Sequence, residues 1–165
     1  MKLSADSSAK INLIARHYLD APEDKLSPPV QAEFQNLVNY LYTQVKKSQI
    51  KDVRVSGQPY ASATELLADF QQNRRIQVST DYNDPIVLHK EGNLQFRFIH
   101  DYHHCVLNAD FSWEGEIKAY RYFCSLTHNE TFHRILRSEL IYQAAVCVYL
   151  GYFPDTQKLV LSDPF

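Results

Sequence analysis

The stretch Phe98–Phe111, FIHDYHHCVLNADF, sets three of the chain's seven histidines and two aspartates among aromatic and aliphatic residues. His100 and His104 are four apart, so on a helix their imidazoles share one face. Imidazole is a common ligand for zinc and iron, and Asp101 beside the first histidine offers a carboxylate for proton transfer. The pair alone decides little, because a His-x-x-x-His spacing also arises on an ordinary solvated face. Residues 92–111 nevertheless contain no Lys and no Glu, the usual occupants of exposed helix positions.

Two glutamates strengthen the case. On a helical wheel of 100° per residue, Trp113, Ile117, Tyr120, Phe123 and Cys124 form one apolar arc, and Glu116 falls on it. Further on, Phe132, Ile135, Leu136, Val146 and Leu150 define a stripe with Glu139 in its middle and Gln143 one turn beyond. An ionised carboxylate on a buried face is costly unless it is paired, hydrogen-bonded or metal-bound. Two imidazoles on one helical turn and one carboxylate from each of two neighbouring helices make a workable ligand set. His100, His104, Glu116 and Glu139 are therefore the candidate ligands of one divalent metal, iron, zinc or manganese. Asp101, Glu116 and Glu139 are the candidate acid–base groups, with Gln143 and Arg97 supporting the site or touching substrate. Water activated at such a metal supports hydrolysis of a small-molecule substrate.

Competing patterns are weaker. The chain has no HExxH, P-loop, GxGxxG or GxSxG. Glu130-Thr-Phe-His133 is a lone ExxH spanning a helix start, where a ferritin-like di-iron site wants two. Cys105 is adjacent to His104, and neighbouring helix residues point in different directions. The His100-Asp101 doublet also allows an HD-type phosphohydrolase, with His89 and Asp110 as the further ligands it would need. A non-enzymatic alternative is an interaction or structural module in which the same groups close into a buried polar network.

The order His100-Asp101…His104, then Phe111-x-x-x-Gly115-Glu116 with Ala119, then Ser138-Glu139-x-x-x-Gln143 resembles a helical domain recurring in large phage and mobile-element polyproteins. That family shows a His-Asp…His, Gly-Glu, Thr-Glu…Gln order, over what corresponds to residues 97–143 here. It departs in one place: the family carries Gly-His five residues after the first histidine, whereas His104 follows by four. The resemblance implies that His100, Asp101, Glu116, Glu139 and Gln143 act as one site, and it implies nothing about substrate.

Helices must position these residues. Apolar spacing predicts helices over residues 7–19, from Val30 to about Ser48, behind a Ser62-Ala-Thr-Glu65 capping box, and over 93–109, 112–128 and 131–151. Lys51–Gly57 and Ile76–Thr80 alternate as short strands, while Asp81–Pro85 and Lys90–Asn93 carry loop chemistry. The expectation is a mainly α fold, one domain over residues 1–165, with an antiparallel three-helix C-terminal half and one small β-hairpin. Hydrophobic content of 45% and only four glycines fit that class. A net charge of −2 argues against general nucleic-acid binding. The longest apolar run, Ala144–Phe153, is too short to span a bilayer. Three cysteines without a CxxC give no disulfide framework, so a soluble, cytoplasmic setting is expected; homo-oligomerisation stays open.

Overall fold

The computed structural model describes residues 5–154 and 157–165. The chain is mainly helical and divides into two compact units, one formed by residues 1–25 and 124–165 and the other by residues 26–123. Among the described residues no helix is long and apolar enough to cross a membrane.

In the unit of residues 26–123, Pro28 and Pro29 open helix α2 (Pro28–Lys46), where their missing N–H groups cost nothing. Phe34, Val38, Leu41 and Val45 recur at helical spacing and are buried. The chain then forms strand β1 (Lys51–Val55), helix α3 (Ala63–Asn73) and strand β2 (Arg75–Ser79). Ser62 Oγ accepts the Glu65 N–H, and Glu65 Oε2 accepts the Ala61 N–H, so the capping-box sequence does start α3. Arg74 ends it in the left-handed region at φ 52°.

The two strands pair in parallel, from Lys51 opposite Arg75 to Val55 opposite Ser79. This corrects the expected hairpin. A hairpin needs a tight turn, whereas here a whole helix crosses between the strands, which brings them back parallel. α3 and helix α4 (Lys90–Leu107) pack against β2, and α2 packs against α4. Ile76 and Val78 of β2 meet Leu66 and Phe98 in the core. α4 begins three residues before the expected start because His89 caps it, its Nδ1 accepting the Gly92 N–H at 2.9 Å. Lys90–Asn93 is thus helix, not loop. Helix α5 (Trp113–Ser125) follows a short turn.

In the other unit, helix α6 (Glu130–Leu136) continues into a π-helical segment (Arg137–Tyr142) and α7 (Gln143–Leu150), and helix α1 (Ala5–Asp20) packs against the last two. The last residues, 157–165, lack regular secondary structure and are held by side chains. Tyr18 Oη donates to the Lys158 carbonyl and accepts the Lys158 N–H, and Ser138 Oγ accepts the Val160 N–H.

One buried carboxylate organises the strand region. Asp69 of α3 accepts from Tyr60 Oη, Asn73 Nδ2, Arg75 Nε and Gln77 Nε2 at 2.6–3.1 Å. Burial pushes its pKa up, but these four donors win and hold it at about 2. Because the folded value lies below the ordinary 3.8, the stabilisation is full at neutral pH and fades as pH falls from about 4 toward 2. Asp69→Ala should cost about 1–3 kcal/mol in urea unfolding at pH 7, since it strands the buried Tyr60 hydroxyl and removes the shared acceptor of Asn73, Arg75 and Gln77. A cost below about 0.5 kcal/mol, the level of an ordinary surface substitution, would contradict this role.

Candidate metal centre

α4 carries the two histidines, and the turn after it fixes one of them completely. Asn108 stops α4 in the left-handed region at φ 46°, its N–H returning to the Cys105 and His104 carbonyls. That reversal brings the Ala109 carbonyl to His104 Nδ1 at 3.2 Å. A carbonyl only accepts, so Nδ1 carries a proton; Nε2 keeps its lone pair in the neutral ring and donates to Glu116 when the ring is protonated. The Phe111 ring packs edge-on against the same imidazole at 5.1 Å.

The turn then positions the carboxylate. Asp110 Oδ1 accepts from Ser112 N and Oγ, and Ser112 Oγ accepts the Gly115 N–H. The Ser112 carbonyl takes the Glu116 N–H at 2.9 Å, which puts Glu116 in the first turn of α5. Gly115 permits this packing: a Cβ there would lie 1.9 Å from the Asp110 carbonyl oxygen.

Three ligand-type groups converge as a result. His100 Nε2 and His104 Nε2 are 3.2 Å apart. Glu116 Oε2 lies 3.2 Å from His100 Nε2, and Oε1 lies 3.4 Å from His104 Nε2. A metal with 2.0–2.1 Å bonds to a tetrahedron of ligands sets them about 3.3–3.4 Å apart, so these spacings suit it. The histidines meet different carboxylate oxygens; with one atom taken per residue, all lie within 4.8 Å of one another. Bidentate Glu116, or a small rotation of it, satisfies one ion. The group could hold a metal ion. The His104 side chain is 0% exposed, against 19% for His100 and 16% for Glu116, so the centre opens to solvent along the His100–Glu116 edge. A cleft of about 130 Å³, lined by His104, Cys105, Asn108, Asp110, Thr64 and Leu67, borders the buried side.

Charge in the centre is strongly coupled. Burial raises the Glu116 pKa, but the charge of His100 and hydrogen bonds from both histidines outweigh it and hold Glu116 at about 2. Burial lowers His100, and the Glu116 carboxylate and the Asp101 charge more than reverse that, so His100 is raised. Asp101 is pushed up to about 6, by burial first and Glu116 repulsion besides, against the pull of His100, His104 and Arg97. His103 is a different histidine altogether. Burial, aided by the neighbouring His100 and His104 charges, drops it to about 3, and its ring packs edge-on against Tyr122 and Phe123. Burial likewise pushes the Cys105 thiol up to about 12, which makes it a poor nucleophile.

Comparison with family models, with curated proteins and with solved structures finds no match. The chemistry therefore rests on the chain's own residues.

The remaining sequence candidates belong to the other unit or are otherwise engaged. Glu139 and Gln143 belong to the unit containing residues 124–165, where Gln143 Nε2 donates to Glu139 Oε2 at 3.1 Å. The ligand group holds three of the four expected residues, without Glu139. Arg97 donates to the carbonyls of Ser79, Asp81 and Tyr82, so its guanidinium anchors the loop after β2. His89 and Asp110, the extra ligands of an HD-type site, cap α4 and the start of α5. His133 Nε2 meets the carbonyls of Cys124 and Thr127, as a structural brace. The positioning role of the Ala109 carbonyl had no signal in the sequence, since any residue type carries one.

Two substitutions test these assignments. Gly115→Ala should lower stability by about 1–3 kcal/mol through overpacking against Asp110, and should displace Glu116 from the histidines. An unchanged urea midpoint with unchanged histidine NMR shifts would contradict it. Glu139 titrates at about 7 because burial opposes its charge, with Gln143 pulling the other way. Its folded pKa lies above the ordinary 4.5, so its contribution to stability falls as pH rises from there through 7. Glu139→Gln should therefore gain about 1–3 kcal/mol over wild type at pH 8 relative to pH 4. Equal differences at the two pH values would count against a desolvated carboxyl.

Proposed function

We propose that this protein binds one divalent metal, zinc, iron or manganese, through His100, His104 and Glu116, and uses it to hydrolyse a small-molecule substrate. The observation that supports this best is the fixed orientation of His104. Its Nδ1 proton is committed to Ala109, which leaves Nε2 aimed at His100 and Glu116, the outer-shell arrangement that metal-ligating histidines use. Three protein ligands and one open edge form the pattern of catalytic sites, whereas structural sites close with four. The ion would supply water acidified toward neutral pH and a Lewis acid for the scissile group. Glu116, as a ligand, cannot also be the base. Asp101, which follows the first histidine and feels the charges of His100, His104 and Glu116, is the residue to accept the proton. Arg97 holds the neighbouring loop. No disulfide joins the three cysteines, which suits a reducing compartment.

Chelator-stripped, tag-free protein titrated with Zn²⁺, Mn²⁺ or Fe²⁺ under anaerobic conditions should bind one equivalent. At 100 times Kd the ion should stabilise the fold by about 2.7 kcal/mol. His104→Ala should remove both effects. Asp101→Asn should keep the metal and lose hydrolysis of model ester and phosphoester substrates. Substoichiometric metal, together with a His104→Ala protein of wild-type stability, would leave a polar network that catalyses nothing.

A further inference from the structure

We infer that two copies of this chain associate through the outer edge of β1, pairing antiparallel about a two-fold axis at Val53. This reading is independent of the metal centre. In a parallel ladder, alternate residues of a strand direct both main-chain groups to the partner, and the others direct both away. The Lys51 N–H reaches the Arg74 carbonyl and the Thr80 N–H reaches the Val55 carbonyl. With the register known, Lys51, Val53 and Val55 therefore face β2, and Asp52 and Arg54 face outward. β2 has its far edge covered, since Tyr60 Oη takes the Gln77 N–H and Arg97 takes the Ser79 carbonyl. β1 has no such cover. Among the described residues nothing hydrogen-bonds the main chain of Asp52 or Arg54. The Asp52 side chain is only 4% exposed while the residue as a whole is half-buried, so its exposure comes from its main chain.

An open edge accepts any strand, and charge selects the occupant here. Only Asp52 and Arg54 present outward main-chain groups, so they must form the hydrogen-bonded pairs of a new ladder. Centring the two-fold on Asp52 would oppose two aspartates, and centring it on Arg54 would oppose two arginines. Centring it on Val53 sets Asp52 of each copy opposite Arg54 of the other, with the valines facing each other between them. Opposite charges directly across a ladder stabilise it, and like charges do the reverse. Within one chain Arg54 Nη2 already meets Asp52 Oδ2, while Asp52 Oδ1 and Arg54 Nη1 are enclosed without a partner. The two-fold also turns a two-stranded sheet, marginal by itself, into four strands.

The interface is short, so the dimer belongs to the weak class and forms over about 10 µM to 1 mM chain. Sedimentation equilibrium should show the mass rising over that range toward twice the 19.2 kDa of the chain. Hydrogen exchange of the Asp52 and Arg54 amides should slow in parallel. Arg54→Pro removes the outward N–H, at a position where an edge strand tolerates proline, together with the guanidinium that meets Asp52 and Glu91, and should give a folded monomer. Asp52→Arg and Arg54→Asp should each be monomeric alone and dimerise when mixed, because the mixture restores opposite charges at every pair. A chain that stays monomeric at 1 mM, a dimer that survives Arg54→Pro, or a mixture no more associated than its components would overturn the inference.

Discussion

A fully enclosed histidine has two ring nitrogens to satisfy, and His104 satisfies them in opposite directions. Its Nδ1 requires the Ala109 carbonyl, which requires the left-handed stop at Asn108. Its Nε2 lies between α4 and α5, where the neutral ring can accept from His100 and the protonated ring donates to Glu116 in the first turn of α5. Leaving either nitrogen unpaired in the interior costs about 1–3 kcal/mol. The turn Asn108–Ser112 is thus a single device that aims an imidazole with one carbonyl and starts the next helix with its own side chains. Gly115 is the concession that lets the two helices meet across it.

The same constraint explains why the four histidines on or capping α4 behave so differently. His89 sits at the N-terminus and acts as a cap, while His103 faces an aromatic core and is held neutral. His100 and His104 share the face that meets a carboxylate. Identical side chains become cap, core filler and candidate ligand through position alone, so a count of histidines carries little chemistry.

Helical spacing made much of this visible in the residues. The four-residue interval of His100 and His104 and the position of Glu116 on an apolar arc both follow from 3.6 residues per turn, and in the fold these three groups meet. The capping box before α3 was equally legible. Other features were not. Histidine is not among the usual N-cap residues, which hid the first turn of α4. Two strands flanking a helix argue for a parallel crossover, a cue that the alternating patterns alone do not carry. Glu139 lies in a π-helical segment, where a wheel of 100° per residue loses its phase, and the sequence has no mark for such a segment. Its apolar surroundings were readable, but the unit to which it belongs was not. Arg97 serves three main-chain carbonyls, and main-chain partners leave no trace in residue types.

The direct test of the centre is anomalous scattering from crystals of the full chain soaked in zinc, recorded on both sides of the zinc edge. The expected result is one peak about 2.0–2.2 Å from Nε2 of His100, Nε2 of His104 and a Glu116 carboxylate oxygen, with Nδ1 of His104 still on Ala109. A fully soaked crystal with no peak there, and the two imidazoles still hydrogen-bonded to Glu116, would show that these residues are a closed polar network rather than a metal centre.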